Sequence, residues 1–130
     1  MNKAEAEILA LNQRLLESIS RADWETYAEL CDPSLTCFEP EASGQLVHGL
    51  PFHEYFFRFG PATEPHQMTM ASPHVRIMGD AAVVAYVRLN QRVNAAGAPV
   101  VTAVEETRIW QKQAGQWRHV HFHRSPVRVG

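Results

Sequence analysis

The sequence predicts an α+β fold, with helices early in the chain packed on one face of a mostly antiparallel sheet, and three observations carry that reading. Apolar residues near the start recur with a helical period. The later part alternates with a strand period, and Gly-containing turns cut it into four long segments. A chain of 130 residues that is 45% hydrophobic and 20% charged has the composition of a globular protein. Its length suits a single domain spanning 1–130, able to bury roughly two-thirds of its surface without disulfide or metal staples.

Each element has its own local cause. Ile8, Leu11, Leu15, Leu16 and Ile19 fall on one stripe, and Asn2 with Glu5 three residues later is a helix start signal. Asp23 caps a second, short helix that puts Trp24, Tyr27 and Cys31 on one side and stops at Asp32-Pro33. Ser34 to Pro40 sets Leu35, Cys37 and Glu39 against Thr36 and Phe38, as a strand does, before the turn-rich Pro40 to Gly44. Pro51 opens a third helix, ended by Gly60-Pro61, whose stripe of Phe52, Tyr55, Phe56 and Phe59 reads as deeply packed core. His66–Met78, Ala81–Arg92, Pro99–Lys112 and Gln116–Val127 then read as a meander of antiparallel strands.

Charge narrows the function. The 12 basic and 14 acidic residues give a net charge of -2, which argues against a general nucleic-acid binder. Residues 1–64 hold four basic and eleven acidic residues, whereas 65–130 hold eight basic and three acidic. Ten of the twelve basic residues are Arg, whose planar fork suits bidentate pairing with anions, inside one subunit or between subunits. No signal peptide or apolar run of membrane-spanning length is visible, so Cys31 and Cys37 read as reduced, buried thiols of a cytoplasmic protein with no membrane partner.

Strand alternation sorts the candidate site residues. Val84, Tyr86 and Arg88 share one face of their strand, Val104, Glu106, Arg108 and Trp110 share one of theirs, and Val120, Phe122 and Arg124 share one of the last. Each of these three strands thus carries an Arg among large apolar residues. A buried cation needs a negative partner. Either Glu39, Glu105 or Glu106 pairs with these arginines internally, or another subunit does. In the other reading Arg88, Arg108 and Arg124 converge beside Tyr27 and His53 to bind a small carboxylate or other anion. Glu39, between Phe38 and Pro40, reads either as a desolvated general base or as a structural carboxylate paired with an Arg. His119, His121 and His123 read as one face of the last strand, at intervals of about 6.5–7 Å. Zinc there needs a further ligand that the sequence does not name, so no metal and no cofactor is expected. His48, His66 and His74 read as surface residues, and Trp24, Trp110 and Trp117 as core.

The stretch Cys31-Asp32-Pro33-Ser34-Leu35-Thr36-Cys37-Phe38-Glu39-Pro40-Glu41-Ala42, with Phe52-His53, resembles the association (hub) domain of calcium/calmodulin-dependent protein kinase II. So do Pro73-His74-Val75, Gly79-Asp80, Ala85-Tyr86-Val87-Arg88-Leu89, Glu105-Glu106-Thr107-Arg108-Ile109-Trp110 and Val120-His121-Phe122-His123-Arg124-Ser125, in the same order. The resemblance implies a cystatin-like, nuclear transport factor 2-like cone, of the superfamily that also includes SnoaL-like proteins, with a long helix across a strongly curved sheet. It implies a domain that gathers copies of itself into dimers or higher rings and does no chemistry. It further implies a ligand-binding pocket on Arg88, Arg108, Arg124, His53 and Tyr27, with Glu39 on the neighbouring strand. His119 is extra to the family pattern, and the loop after the third helix lacks the family's tryptophan.

The leading expectation is therefore a homo-oligomeric association domain with an Arg-lined pocket for a small anion. Gly-rich nucleotide loop, His-Arg-Asp and Asp-Phe-Gly segments are missing from these residues, so no kinase chemistry is expected of them. The first helix is acid-rich, which argues against direct calmodulin binding. The alternative is an enzyme of the ketosteroid isomerase-like or polyketide cyclase-like kind, in which Glu39 or His53 works with Tyr27.

Overall fold

The computed structural model describes residues 1–127. Helix α1 (Lys3–Ser20) begins with a capping box: the Asn2 side chain accepts from the Glu5 amide at 2.9 Å and the Glu5 carboxylate accepts from the Asn2 amide at 3.2 Å. Asp23 caps α2 (Trp24–Leu30) through the Thr26 amide. Then come β1 (Cys31–Phe38), a 3₁₀ turn (Pro40–Ala42), β2 (Val47–His48) and α3 (Pro51–Phe57), with Pro51 in the first turn where its missing N–H costs nothing. Four long strands complete the chain: β3 (His66–Met78), β4 (Ala81–Val93), β5 (Pro99–Gln113) and β6 (Gln116–Pro126).

The strands form one sheet in the order β2-β1-β6-β5-β4-β3. β3 to β6 run as an antiparallel meander, whereas β1 lies parallel to β6 in the middle of the sheet. Irregularities interrupt β3 between Ala71 and His74, and β1 between Cys31 and Thr36, and such bulges bend a sheet. α1 and α2 cover one face. Ile8, Leu15 and Leu16 of α1 are inaccessible to solvent and pack with Ala82, Val84 and Trp110 of the sheet in one apolar cluster. Each such buried side chain contributes about 1.5–3 kcal/mol. Asn12, also inaccessible, is the polar exception on the α1 stripe: its Oδ1 accepts from the Trp110 indole at 3.1 Å, so each satisfies the other.

Two expectations are corrected. The stripe on α3 is not deep core: Tyr55, Phe56 and Phe59 are 55%, 41% and 70% exposed, and His53 is the buried residue of that helix. A seven-residue helix meets the body along one edge, where Trp24 packs edge-on and Tyr27 at a tilt against its Phe57. The three histidines of β6 do not share a face either. A bulge shifts the β5–β6 register between Ile109 and Trp110, so that Ile109 pairs with His121 and Trp110 with His119. Val120 is the extra residue, and His119 turns inward beside Phe122, its ring stacked on that phenyl at 5.6 Å. His123 stays on the exposed face and His121 is half-buried, bonded to the Thr36 hydroxyl, so the triple-His zinc arrangement does not form.

Candidate functional site

Inward alternation on three adjacent strands brings Arg88 of β4, Arg108 of β5 and Arg124 of β6 to one end of the helix-covered face. They line a cavity of about 170 Å³ together with Tyr27 of α2, His53 and Phe57 of α3, Glu39, Glu41 and Phe122. All six residues singled out in the sequence therefore meet there.

The organising group is Glu106, whose side chain is inaccessible to solvent. Its Oε1 accepts from the Tyr86 hydroxyl at 2.5 Å and from Arg108 Nε and NH2 at 3.2 and 3.1 Å. Its Oε2 faces Arg88 NH1 at 3.3 Å and Arg124 Nε at 3.7 Å without a well-directed hydrogen bond. Burial acts to raise the Glu106 pKa, but Arg108, Arg88 and the Tyr86 hydroxyl outweigh it and hold the carboxyl below its ordinary value. Arg108 is closed in on every side. Its guanidinium lies 4.3 Å above the Phe122 ring and its NH1 donates to His119 Nε2 at 3.4 Å, leaving His119 Nδ1 to donate to Cys31 Sγ at 3.3 Å. Burial and the neighbouring Arg108 push the His119 pKa well below its usual value, so this imidazole is neutral.

A second cluster sits at the rim. Arg124 NH1 donates to Glu39 Oε2 at 3.2 Å and to both Glu41 oxygens at 2.7 and 2.8 Å. The other Glu39 oxygen accepts from His53 Nε2 at 2.8 Å. Burial favours the protonated form of Glu39, yet the His53 bond and the Arg124 charge more than offset it and its pKa is lowered. That is the opposite of a desolvated general base. Burial of Tyr27 raises its hydroxyl pKa well above the ordinary value.

The internal-pairing reading thus holds for all three arginines, with Glu106 as partner of Arg88 and Arg108, Glu39 as partner of Arg124, and the exposed Glu105 uninvolved. Arg88 nonetheless differs. Its burial outweighs the attraction of Glu106, its pKa is lowered, and its Nε makes no hydrogen bond. Among the described residues, the buried side-chain atoms lacking a hydrogen-bond partner are His53 Nδ1, Arg88 Nε, Glu106 Oε2 and Arg124 Nε, all at this site. Sequence reasoning named Glu106 only as one possible partner and missed Glu41, Tyr86 and Cys37. The signal for Glu106 was its place between Val104 and Arg108 on an inward face. Both thiols are buried and free of any disulfide, and burial pushes each up to about 12. Among the described residues, no helix is long and apolar enough to cross a membrane.

A long helix laid over a six-stranded, mostly antiparallel sheet, with an ion-paired cavity at one end, defines a cone of the nuclear transport factor 2-like, cystatin-like class. Two distant structures share it: a nuclear transport factor 2-like superfamily protein from Salmonella enterica (24% identity, TM-score 0.76, covering 97% of this chain and 93% of that one) and a cystatin-like protein from Caulobacter vibrioides (19%, 0.70, 93% and 87%). Within that class the chain belongs to the calcium/calmodulin dependent protein kinase II association domain family, whose model matches residues 4–128. It is 43% identical over 122 residues to the type II kinase subunit delta of Oryctolagus cuniculus, covering 92% of this chain and 23% of that protein's length. Among solved structures it is similar to the hub homology domain of Chlamydomonas reinhardtii, at 54% identity and TM-score 0.91 over 97% of this chain and all of that one. The sequence resemblance is thereby borne out at the level of family and fold.

Proposed function

We propose that this chain is a self-associating hub whose cavity takes up a small carboxylate. The observation that carries the first part is the sheet face turned away from the helices. An antiparallel sheet with one solvated face alternates apolar-in with polar-out. Here the outward positions of β4 are Val83, Ala85, Val87 and Leu89; across on β5 Ile109 and Ala103 extend the apolar surface opposite Val83 and Leu89, while Thr107 and Glu105 stand opposite Ala85 and Val87. A strand with apolar side chains on both of its faces is the kind of surface that buries itself against a second copy. The family name, an association domain, agrees.

The carboxylate reading rests on Arg88. A carboxylate in the cavity would give its unpaired Nε a partner and supply the negative charge that Glu106, shared with Arg108, leaves short. A space of about 170 Å³ suits an acid of a few heavy atoms. The ionised, doubly bonded Glu39 does not favour the isomerase alternative with His53 and Tyr27.

Sedimentation velocity tests the assembly. The parent protein is expected to sediment as a dimer or larger at micromolar concentration, and Val83→Glu to shift it towards monomer; a monomeric parent overturns the proposal. Titration calorimetry with a panel of short-chain carboxylic acids tests the pocket. Heat with the parent that disappears in Arg88→Ala supports it, and no heat with any acid removes it.

A further inference from the structure

Cys37, Glu39 and His53 form a compact donor set, of which Glu39 and His53 line the cavity. A sulfur, a carboxylate oxygen and an imidazole nitrogen from these side chains all lie within 4.8 Å of one another, and among the described residues no other His, Cys, Asp and Glu side chains make such a group. His53 Nε2 stands 3.6 Å from Cys37 Sγ and 2.8 Å from Glu39 Oε1. The three arrive from separate elements. Cys37 is on the inward face of β1, Glu39 lies just past the end of that strand, and His53 is the buried residue of α3.

We propose that Cys37, Glu39 and His53 bind a zinc ion, with a fourth coordination position open to the cavity. Tetrahedral zinc takes sulfur at ~2.3 Å and nitrogen or oxygen at ~2.0–2.2 Å, so its ligand atoms stand roughly 3.3–3.8 Å apart. The present separations reach that arrangement through side-chain shifts of the order of an ångström. Thiolate, imidazole and carboxylate together are a donor set for a borderline-soft dication, and three protein ligands leave one position for a small molecule. Glu39 and His53 both line the cavity, so that position is reached from it.

The charges and protons balance. Zinc displaces the Cys37 thiol proton to solvent and bonds the thiolate. At His53 it takes Nε2, and the ring proton moves to Nδ1, a nitrogen that accepts no hydrogen bond that would be lost. One thiolate, one carboxylate and a neutral imidazole cancel the dication. Arg124, which shares Glu39, keeps Glu41 at 2.7 Å when Glu39 turns to the metal. Arg108 is already neutralised by Glu106. Arg88, which shares Glu106 with Arg108, is the remaining cation beside the cavity.

Cobalt(II) is the probe, because a thiolate ligand gives it a charge-transfer band in the near ultraviolet. The folded parent protein is expected to bind one cobalt per chain with that band, and one equivalent of zinc to abolish it by displacement. Cys37→Ser removes the band, while Cys31→Ser, whose thiol hydrogen-bonds His119, retains it. Glu39→Gln weakens zinc binding by tenfold or more. Should Cys37→Ser fail to fold, crystals of the unaltered protein soaked in zinc give a second readout: an anomalous peak at the zinc edge within ~2.3 Å of Cys37 Sγ. Absence of the band at one equivalent, its survival in Cys37→Ser, or an anomalous peak elsewhere overturns the assignment.

Discussion

Replacing Glu106 by Gln keeps the shape of the side chain and deletes one charge. The carboxylate it removes has no solvent access, and its nearest cation, Arg108, is only 1% exposed. Arg108 would then face a neutral amide in a site that water does not reach, and Arg88 would lose its nearest counter-charge. Breaking a buried ion pair on one side costs about 3–5 kcal/mol. The amide oxygen still accepts one hydrogen bond, which places the expected loss near the lower end, about 3 kcal/mol. With a urea slope of ~2 kcal/mol per molar, the unfolding midpoint should fall by about 1.5 M. Fluorescence of the buried Trp110 and Trp117 reports the transition, at one fixed protein concentration because association adds to apparent stability. Glu105→Gln, next in sequence but exposed on the other face, is the control and should stay within ~0.5 kcal/mol of the parent. A double-mutant cycle with Arg108→Met should return a coupling of at least ~1 kcal/mol. If Glu106→Gln behaves like Glu105→Gln, the carboxylate is not the centre of the ion cluster and the reasoning fails.

Acid should weaken the fold through His119, before any carboxylate titrates. Its folded pKa is depressed, so the unfolded chain takes up a proton below about pH 6.5 that the native site, faced by Arg108 and by the Cys31 thiol, refuses. Stability present above pH 6.5 is lost at up to ~1.4 kcal/mol per pH unit as pH falls, and a His119→Gln variant should flatten that slope between pH 6.5 and 5 in urea titrations. Asn12→Ala strands the Trp110 indole N–H in the core and should cost about 1–3 kcal/mol by the same assay, whereas a loss under ~0.5 kcal/mol would mean that the bond does not matter. Phe59→Ser, at a position 70% exposed, should leave the unfolding midpoint unchanged, and a drop of more than ~1 kcal/mol would restore α3's stripe to the core.

The parts of the fold legible in the sequence are those whose period is regular. β4 alternates buried and half-buried positions from Ala82 to Arg88 without a break, and the faces assigned to Arg88, Arg108 and Arg124 follow from that alternation. His119 was misplaced because a single inserted residue, Val120, resets the alternation, and nothing in a period-two pattern marks where a bulge falls. The α3 stripe misled for a related reason: periodicity reports that a helix has an apolar side and not whether the neighbouring wall is long enough to cover it. The site was readable in outline because convergence of three arginines follows from strand order. Which carboxylate meets which guanidinium depends on side-chain reach across the sheet, and so the central role of Glu106 and the approach of Cys37 to His53 emerge only in three dimensions.

The parallel seam between β1 and β6 also sets the order in which the molecule can be completed. Cys31 and His119, hydrogen-bonded to each other, are separated by 88 positions along the chain. As a ribosome threads the polypeptide outward, the first strand has no permanent neighbour on that side until the last one emerges, and pairings so remote in sequence close slowly. Arg124, the rim guanidinium of the cavity, belongs to the same late strand. The cavity is therefore the last part of this fold to be closed, and a nascent chain halted before β6 would hold a half-built sheet with its interior edge open to whatever else is in reach.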